Sequence, residues 1–144
     1  MGVGIFFHPP TDCPGTLKIA TSVAYSFDWH TYSAFAGAHS DGWIGLFVQR
    51  FNANGFPDGV LVDLKLFLWS NDSSGLGGPG WPEGSNTGFP LGAQCPVDNQ
   101  HTYHLWVRCG GSVSSGGFGG LGWFGSTAGS RIFGTVPSIT WELV

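Results

Sequence analysis

Residues 17–30 read LKIATSVAYSFDWH and residues 41–51 read DGWIGLFVQRF, and these two runs decide the predicted fold. In the first run, apolar residues alternate with small or polar ones, which is typical of a strand with one buried face. The apolar set is Leu17, Ile19, Val23, Tyr25, Phe27 and Trp29. The second run is also strand-like, so Leu17–Phe51 predicts two long strands separated by a loop around Thr31–Ala38.

The alternation also predicts how the two runs pair. Opposing His30 to His39 in a hairpin keeps the apolar residues of both runs on one face, whereas a slip of one residue would mix the two faces. The pairs on the buried face would be Val23 with Leu46, Tyr25 with Ile44, and Phe27 with Gly42. On the opposite face, the same register places Asp28 beside Asp41.

The remaining chain is typical of an all-β protein. Further strands are predicted at Gly4–His8, Val60–Ser70, His101–Cys109 and Thr135–Val144, with two short ones inside Gly110–Ser130. Asn71–Gln100 is predicted to be a long irregular loop, and such loops are either functional or disordered. No segment has a convincing helical period. Residues 1–144 therefore predict a single-domain antiparallel β-sandwich, jelly-roll-like, with long Gly/Pro-rich loops.

The composition predicts a real core and an unusual surface. The chain is 42% hydrophobic but only 10% charged, against roughly 25% charged in average globular proteins. Its 25 Gly, 12 Phe and 7 Trp imply that some aromatic side chains reach the surface, which is a liability unless they have a partner. The predicted core consists of Val23, Tyr25, Phe27, Ile44, Leu46, Val62, Leu64, Leu66, Leu105 and Val107.

The charge balance argues against two kinds of partner. The net charge is −4, and the five Lys and Arg residues are scattered along the chain. Binding to nucleic acid or to an anionic membrane needs clustered cations, so neither is predicted. No apolar run reaches transmembrane length. No signal peptide is visible in Met1–Pro10, so the chain is either intracellular or a processed or recombinant form. An extracellular location is favoured although no signal peptide is visible.

Three cysteines leave the redox state open. Cys13 and Cys95 each precede a proline in a turn-like context, and a disulfide between them is one interpretation. Cys109 continues the alternation of Tyr103, Leu105 and Val107 and is predicted to be a buried thiol. The alternative is three reduced thiols, because cysteine is common in protein cores.

Asp28, His30, His39 and Asp41 would meet at one end of the predicted hairpin. Two imidazoles and two carboxylates can bind Zn²⁺ or a transition metal. Two Asp–His pairs that close a solvated strand end are favoured instead, and they would raise the pKa of each histidine. We therefore predict no metal, no cofactor and no catalytic residue. An enzyme that uses this cluster is the weakest of three functional hypotheses.

Aromatic residues outside the predicted core carry the other two hypotheses. Trp43, Phe47, Phe67 and Trp69 fall on the face opposite the core, where a second layer of the domain, a sugar or another subunit would cover them. The first hypothesis is a non-enzymatic, lectin-like module that binds carbohydrate through the long loop. Its predicted ligand-binding residues are Trp81, Phe89, Asn71, Asp72 and Asn86. The second is a structural subunit that assembles with copies of itself into a homo-oligomer, fibre or shell through the aromatic face.

Overall fold

Long antiparallel strands make up most of the computed structural model, which describes residues 1–12, 14–33, 37–73, 82–116 and 126–144. Strands account for 81% of these residues and none of them is helical. The strands are β1 (Gly2–Phe7), β2 (Pro14–Tyr32), β3 (Ala38–Phe51), β4 (Pro57–Ser73), β5 (Glu83–Asp98), β6 (Thr102–Ser115), β7 (Thr127–Thr135) and β8 (Ile139–Leu143). The predicted all-β class is confirmed, and no helix in the described ranges is long and apolar enough to cross a membrane.

The strands form two antiparallel sheets. Sheet 1 has the order β1-β6-β3-β4. In sheet 2, β2 pairs with β5 along one edge, and β8 and β7 pair with successive parts of β2. The chain crosses repeatedly from one sheet to the other, so neighbours in sequence are often not neighbours in a sheet.

The predicted hairpin between the two long strands is wrong. β2 lies in sheet 2 and β3 lies in sheet 1, where its hydrogen-bonded partners are β4 and β6. Val23 is opposed to Phe89 rather than to Leu46. The alternation correctly identified one buried face on each strand, but it does not distinguish two strands that share a sheet from two that face each other across a core.

The core lies between the two sheets and confirms the predicted faces. Its fully or almost fully buried members include Leu17, Ile19 and Val23 of β2, Ile44, Leu46 and Val48 of β3, and Leu105 and Val107 of β6. Of the other predicted core residues, Tyr25, Val62, Leu64 and Leu66 are half-buried against this cluster. Phe27 is also half-buried and stacks on Trp69 of the opposite sheet at 4.8 Å between ring centroids.

The predicted loop at Asn71–Gln100 is largely strand. β4 continues to Ser73 and β5 runs from Glu83 to Asp98, while residues 74–81 lie outside the described ranges. Gly and Pro in this segment are tolerated because β5 is an edge strand, where unpaired backbone faces solvent. In the Gly-rich segment Gly110–Ser130, β6 extends to Ser115 and β7 begins at Thr127. Residues 117–125 lie outside the described ranges.

Glycine and aromatic residues are paired across neighbouring strands, which accounts for much of the composition. In five directly opposed pairs, an added Cβ on the glycine would collide with the ring of its partner. The pairs are Gly4 with Trp106, Gly110 with Trp43, Gly42 with Trp69, Gly84 with Phe27, and Gly129 with His30. Each glycine therefore provides the space in which a large ring lies across the sheet.

Cys95 carries a free, buried thiol, which contradicts the predicted disulfide with Cys13. It lies in β5 among the apolar residues of the core, and burial raises the pKa of its thiol. Cys13 lies outside the described residues. Cys109 is also a free thiol and packs against the core, but it is half-buried rather than buried as predicted.

Candidate binding face on sheet 1

The outer face of sheet 1 combines aromatic and charged side chains from all four strands. Side chains alternate along each strand, so the side chains that point away from the core form rows across the sheet. One row runs Gly4, Trp106, Phe47, Asp63; the next runs Gly2, Arg108, Gly45, Lys65; the third runs Gly110, Trp43, Phe67. We call these three rows the binding face.

Arg108 lies at the centre of the binding face and is held on several sides. Its guanidinium carbon lies 4.0 Å from the ring centroid of Phe47 and 5.4 Å from that of Trp43. Its Nη2 donates to Asp63 Oδ1 at 2.6 Å. Its Nε is buried and has no hydrogen-bond partner among the described residues. These contacts fix the orientation of a planar group with several donors.

Lys65 adds a second cation beside the first. Its Nζ lies 5.2 Å from the ring centroid of Trp43 and 3.9 Å from Asp63 Oδ2. Unlike Arg108, Lys65 is an exposed residue. Both cations therefore lie near the ring of Trp43, and both share the carboxylate of Asp63.

A shallow groove of about 520 Å³ runs beside Arg108. Trp43 and Trp106 both line it, together with Gly2, Gly110 and Gly111, which have no side chains of their own. Because Gly2 and Gly45 oppose Arg108 on the two neighbouring strands, no side chain stands directly next to it across the sheet. A flat ligand can thus approach the indole rings and the guanidinium together.

One end of the binding face is closed by stacked rings. Phe6 stacks on His104 with 3.8 Å between ring centroids, and the indole N–H of Trp106 donates to His104 Nε2. Burial lowers the pKa of His104, which keeps the imidazole neutral and able to accept this hydrogen bond. Trp106 is therefore held at its polar edge by His104, while its ring lies across Gly4.

His39 bridges two carboxylates beyond the other end of the binding face. Its Nε2 lies 3.0 Å from Asp41 Oδ2 and its Nδ1 lies 2.8 Å from Asp72 Oδ1. Asp41 also accepts hydrogen bonds from the backbone N–H and the hydroxyl of Ser112. These contacts join β3 to β4 and β6. Hydrogen bonds that His39 donates to Asp41, the larger effect, and to Asp72 raise the pKa of His39. Hydrogen bonds that Asp41 accepts from Ser112 and His39 lower the pKa of Asp41.

The predicted cluster of two histidines and two aspartates is split between the sheets. Asp28 lies on sheet 2 and forms an ion pair with Arg131 at 3.0 Å, and His30 lies across Gly129 on the same sheet. The prediction that all four side chains lie close together is therefore wrong, although His39 and Asp41 do form an Asp–His pair. Across the described ranges, no three His, Cys, Asp or Glu side chains converge as metal ligands.

Three of the four predicted interface aromatics lie on the binding face. Trp43 is half-buried and Phe67 is 62% exposed, whereas Phe47 is covered by Arg108 and Trp106. The prediction for Trp69 is wrong, because its side chain points into the core and is only 8% exposed. The register shifts by one residue at Leu68, so Trp43 opposes Phe67 while Gly42 opposes Trp69. This bulge turns Trp69 inward.

The predicted ligand-binding residues of the long segment are spread over different surfaces. Phe89 is half-buried against the core in β5, and Asn86 is exposed in β5, where its Oδ1 accepts from Gly88 N at 2.8 Å. Asn71 donates to Thr31 of sheet 2 at 2.7 Å, while Asp72 binds His39 on the outer side of sheet 1. Trp81 lies outside the described residues. Their ligand-binding roles stay predictions.

Four residues of the binding face were not singled out from the sequence as site residues: Trp106, Arg108, Lys65 and Asp63. Trp106 and Arg108 alternate with the buried Leu105 and Val107, so their outward direction was visible in the sequence. Their position beside Phe47 and Trp43 was not, because it depends on β6 pairing with β3.

No protein-family model, no curated protein and no solved structure matches the chain.

Proposed function

We propose that the protein is a non-enzymatic, lectin-like module that binds carbohydrate on the binding face of sheet 1. The observation that carries this proposal is the groove lined by Trp43, Trp106 and the fixed guanidinium of Arg108. Sugar rings present flat C–H surfaces that pack on indole rings, and their hydroxyl groups need nearby charged or polar partners. We also propose that the two sheets form a sandwich with jelly-roll connectivity, which fits the repeated crossing of the chain between them.

Binding is favoured over catalysis because the ionisable groups on this side of sheet 1 are engaged with one another. Asp63 is paired with Arg108, and His39 is held between Asp41 and Asp72. A catalytic acid or base must instead reach its substrate through the atoms that these ion pairs occupy.

A glycan array followed by calorimetric titration tests the proposal. Trp43→Ala should lower the affinity for the selected glycan about tenfold, because it removes one stacking ring. Phe133→Ala is the matched control, since Phe133 is 63% exposed but lies on the outer side of sheet 2. Circular dichroism confirms that each variant is folded.

Two results would count against the proposal, the first against the binding face as the site and the second against carbohydrate binding itself. If Trp81→Ala abolished binding and Trp43→Ala did not, the ligand would bind at the segment predicted from the sequence. If no glycan bound the wild-type protein, the lectin-like function itself would be wrong.

The alternative, a self-assembling subunit, is supported by the edge strand β1. Within the described chain, β1 pairs only with β6, and it has no charged residue. Val3 is 58% exposed, Ile5 37% and Phe6 61%. An uncharged apolar edge strand can add a strand from a second copy, and native edges usually carry a charge that prevents this.

Light scattering after size-exclusion chromatography tests the alternative. If the protein assembles through β1, it should be an oligomer that Val3→Lys converts to monomer. Val113→Lys is the control, because Val113 lies on the exposed end of β6, and this variant should stay oligomeric. A wild-type monomer at the highest attainable concentration would refute assembly.

A further inference from the structure

We infer that the carbohydrate recognised by the binding face is an acidic one, whose sugar carries a carboxylate that pairs with Lys65 and Arg108. This inference rests on the proposed function and specifies its ligand. It depends on an imbalance of charge on the binding face, on the rigidity of Arg108, and on the distance between the two cations and Trp43.

The charge imbalance is specific to this part of the molecule. Each of the other three cations has a nearby carboxylate: Lys18 with Glu142 at 3.5 Å, Arg50 with Asp58 at 3.1 Å, and Arg131 with Asp28 at 3.0 Å. Arg108 and Lys65 share the single carboxylate of Asp63, at 2.6 Å and 3.9 Å. The binding face thus has one more positive than negative side chain, although the whole chain has a net charge of −4.

Arg108 is prepared to bind a carboxylate. Its guanidinium is stacked on Phe47 and tied to Asp63, so little side-chain entropy is lost when a ligand binds. A guanidinium has five N–H donors in a plane that matches the two oxygens of a carboxylate. The neighbouring glycines Gly2 and Gly45 leave the approach open across the sheet.

The geometry fits a carboxylate attached directly to a sugar ring. Lys65 Nζ lies 5.2 Å and Arg108 Cζ 5.4 Å from the ring centroid of Trp43. In a uronic acid the carboxylate is bonded to the pyranose ring, so the ring can stack on Trp43 while the carboxylate reaches both cations. A neutral sugar would stack equally well but would leave the extra cation without a partner.

The test compares three oligosaccharides of equal length and linkage by calorimetric titration of the whole chain. They are an oligomer of galacturonic acid, the corresponding neutral galactose oligomer, and its sulfated form. The acidic oligomer should bind about tenfold more tightly than the neutral one. This preference should decrease as the salt concentration rises, because salt screens exposed charges.

Three variants separate this pairing from a general effect on folding. Lys65→Gln should weaken binding of the acidic oligomer about threefold and so reduce its preference over the neutral one. Asp63→Asn should strengthen binding of the acidic oligomer, because it frees both cations, and a purely structural role would not produce this gain. Lys18→Gln is the matched control, since Lys18 is an exposed cation on sheet 2.

The outcomes distinguish this inference from the proposed function. Equal affinity for acidic and neutral oligomers, or an unchanged preference in Lys65→Gln and Asp63→Asn, would overturn the inference and leave carbohydrate binding intact. Tighter binding of the sulfated oligomer than of the uronate would overturn the assignment of a carboxylate. No binding of any glycan would overturn both.

Discussion

Replacing Gly42 by alanine should lower the stability of the fold, because the added methyl group would collide with the buried ring of Trp69. Gly42 is buried opposite Trp69, and an added Cβ would overlap the indole atoms Cη2, Cζ2 and Cζ3. Trp69 cannot move away without loss, because its Nε1 donates to the buried Ser40 Oγ at 3.0 Å. Its ring also stacks on Phe27 of sheet 2 at 4.8 Å.

The magnitude follows from these contacts. Overpacking a buried site costs about 1–3 kcal/mol. Displacing the indole adds about 1 kcal/mol for the buried hydrogen bond and about 0.5–1.5 kcal/mol for the aromatic pair, where they are lost. Alanine restricts the unfolded chain and returns roughly 0.4–1 kcal/mol. We therefore expect Gly42→Ala to lower the free energy of unfolding by about 2–4 kcal/mol.

Equilibrium urea denaturation followed by circular dichroism measures this difference. Gly88→Ala is the control, because a Cβ at Gly88 in the exposed part of β5 would meet no atom within 4 Å. That control should change the free energy of unfolding by no more than about 0.5 kcal/mol. If Gly42→Ala were as stable as Gly88→Ala, Trp69 would not lie across Gly42, and the bulge at Leu68 would be wrong as well.

Three further predictions concern the core, the His39 contacts and Cys95. Leu105 is fully buried, so Leu105→Ala should cost about 2–5 kcal/mol in urea denaturation, and the half-buried Leu64→Ala should cost less; equal costs would contradict the assigned burial. The pKa of His39 is raised in the folded state, so its ion pairs stabilise the fold fully below about pH 6.5 and this stabilisation is lost as the pH rises through the folded pKa. The stability difference between wild type and His39→Gln should therefore shrink from mildly acidic to alkaline pH, and a difference that grows would give the wrong sign. Burial raises the pKa of the Cys95 thiol, so iodoacetamide should modify Cys95 only when urea unfolds the chain. Mass spectrometry locates the modified cysteine. If Cys95 were modified rapidly in the native protein, its thiol would be accessible rather than buried.

The buried face of each long strand could be predicted from the sequence. Leu17, Ile19 and Val23 share one face of β2, and Ile44 and Leu46 share one face of β3, as their alternation indicates. This property is local, because successive side chains of any strand point to opposite sides of its sheet. For the same reason, the outward direction of Trp43, Phe47 and Phe67 was predictable before any strand partner was known.

Only the tertiary structure determined which strands are neighbours. Backbone hydrogen bonds between strands do not depend on side-chain identity, so β2 could satisfy its alternation equally well beside β3 or facing it across the core. The binding face depends on this choice, because Arg108 meets Phe47 and Trp43 only when β6 pairs with β3. The inward turn of Trp69 depends on one extra residue in β4, Leu68, and on the space that Gly42 leaves on the neighbouring strand. Such a shift arises from the pairing of two distant segments, and no periodicity within either segment records it.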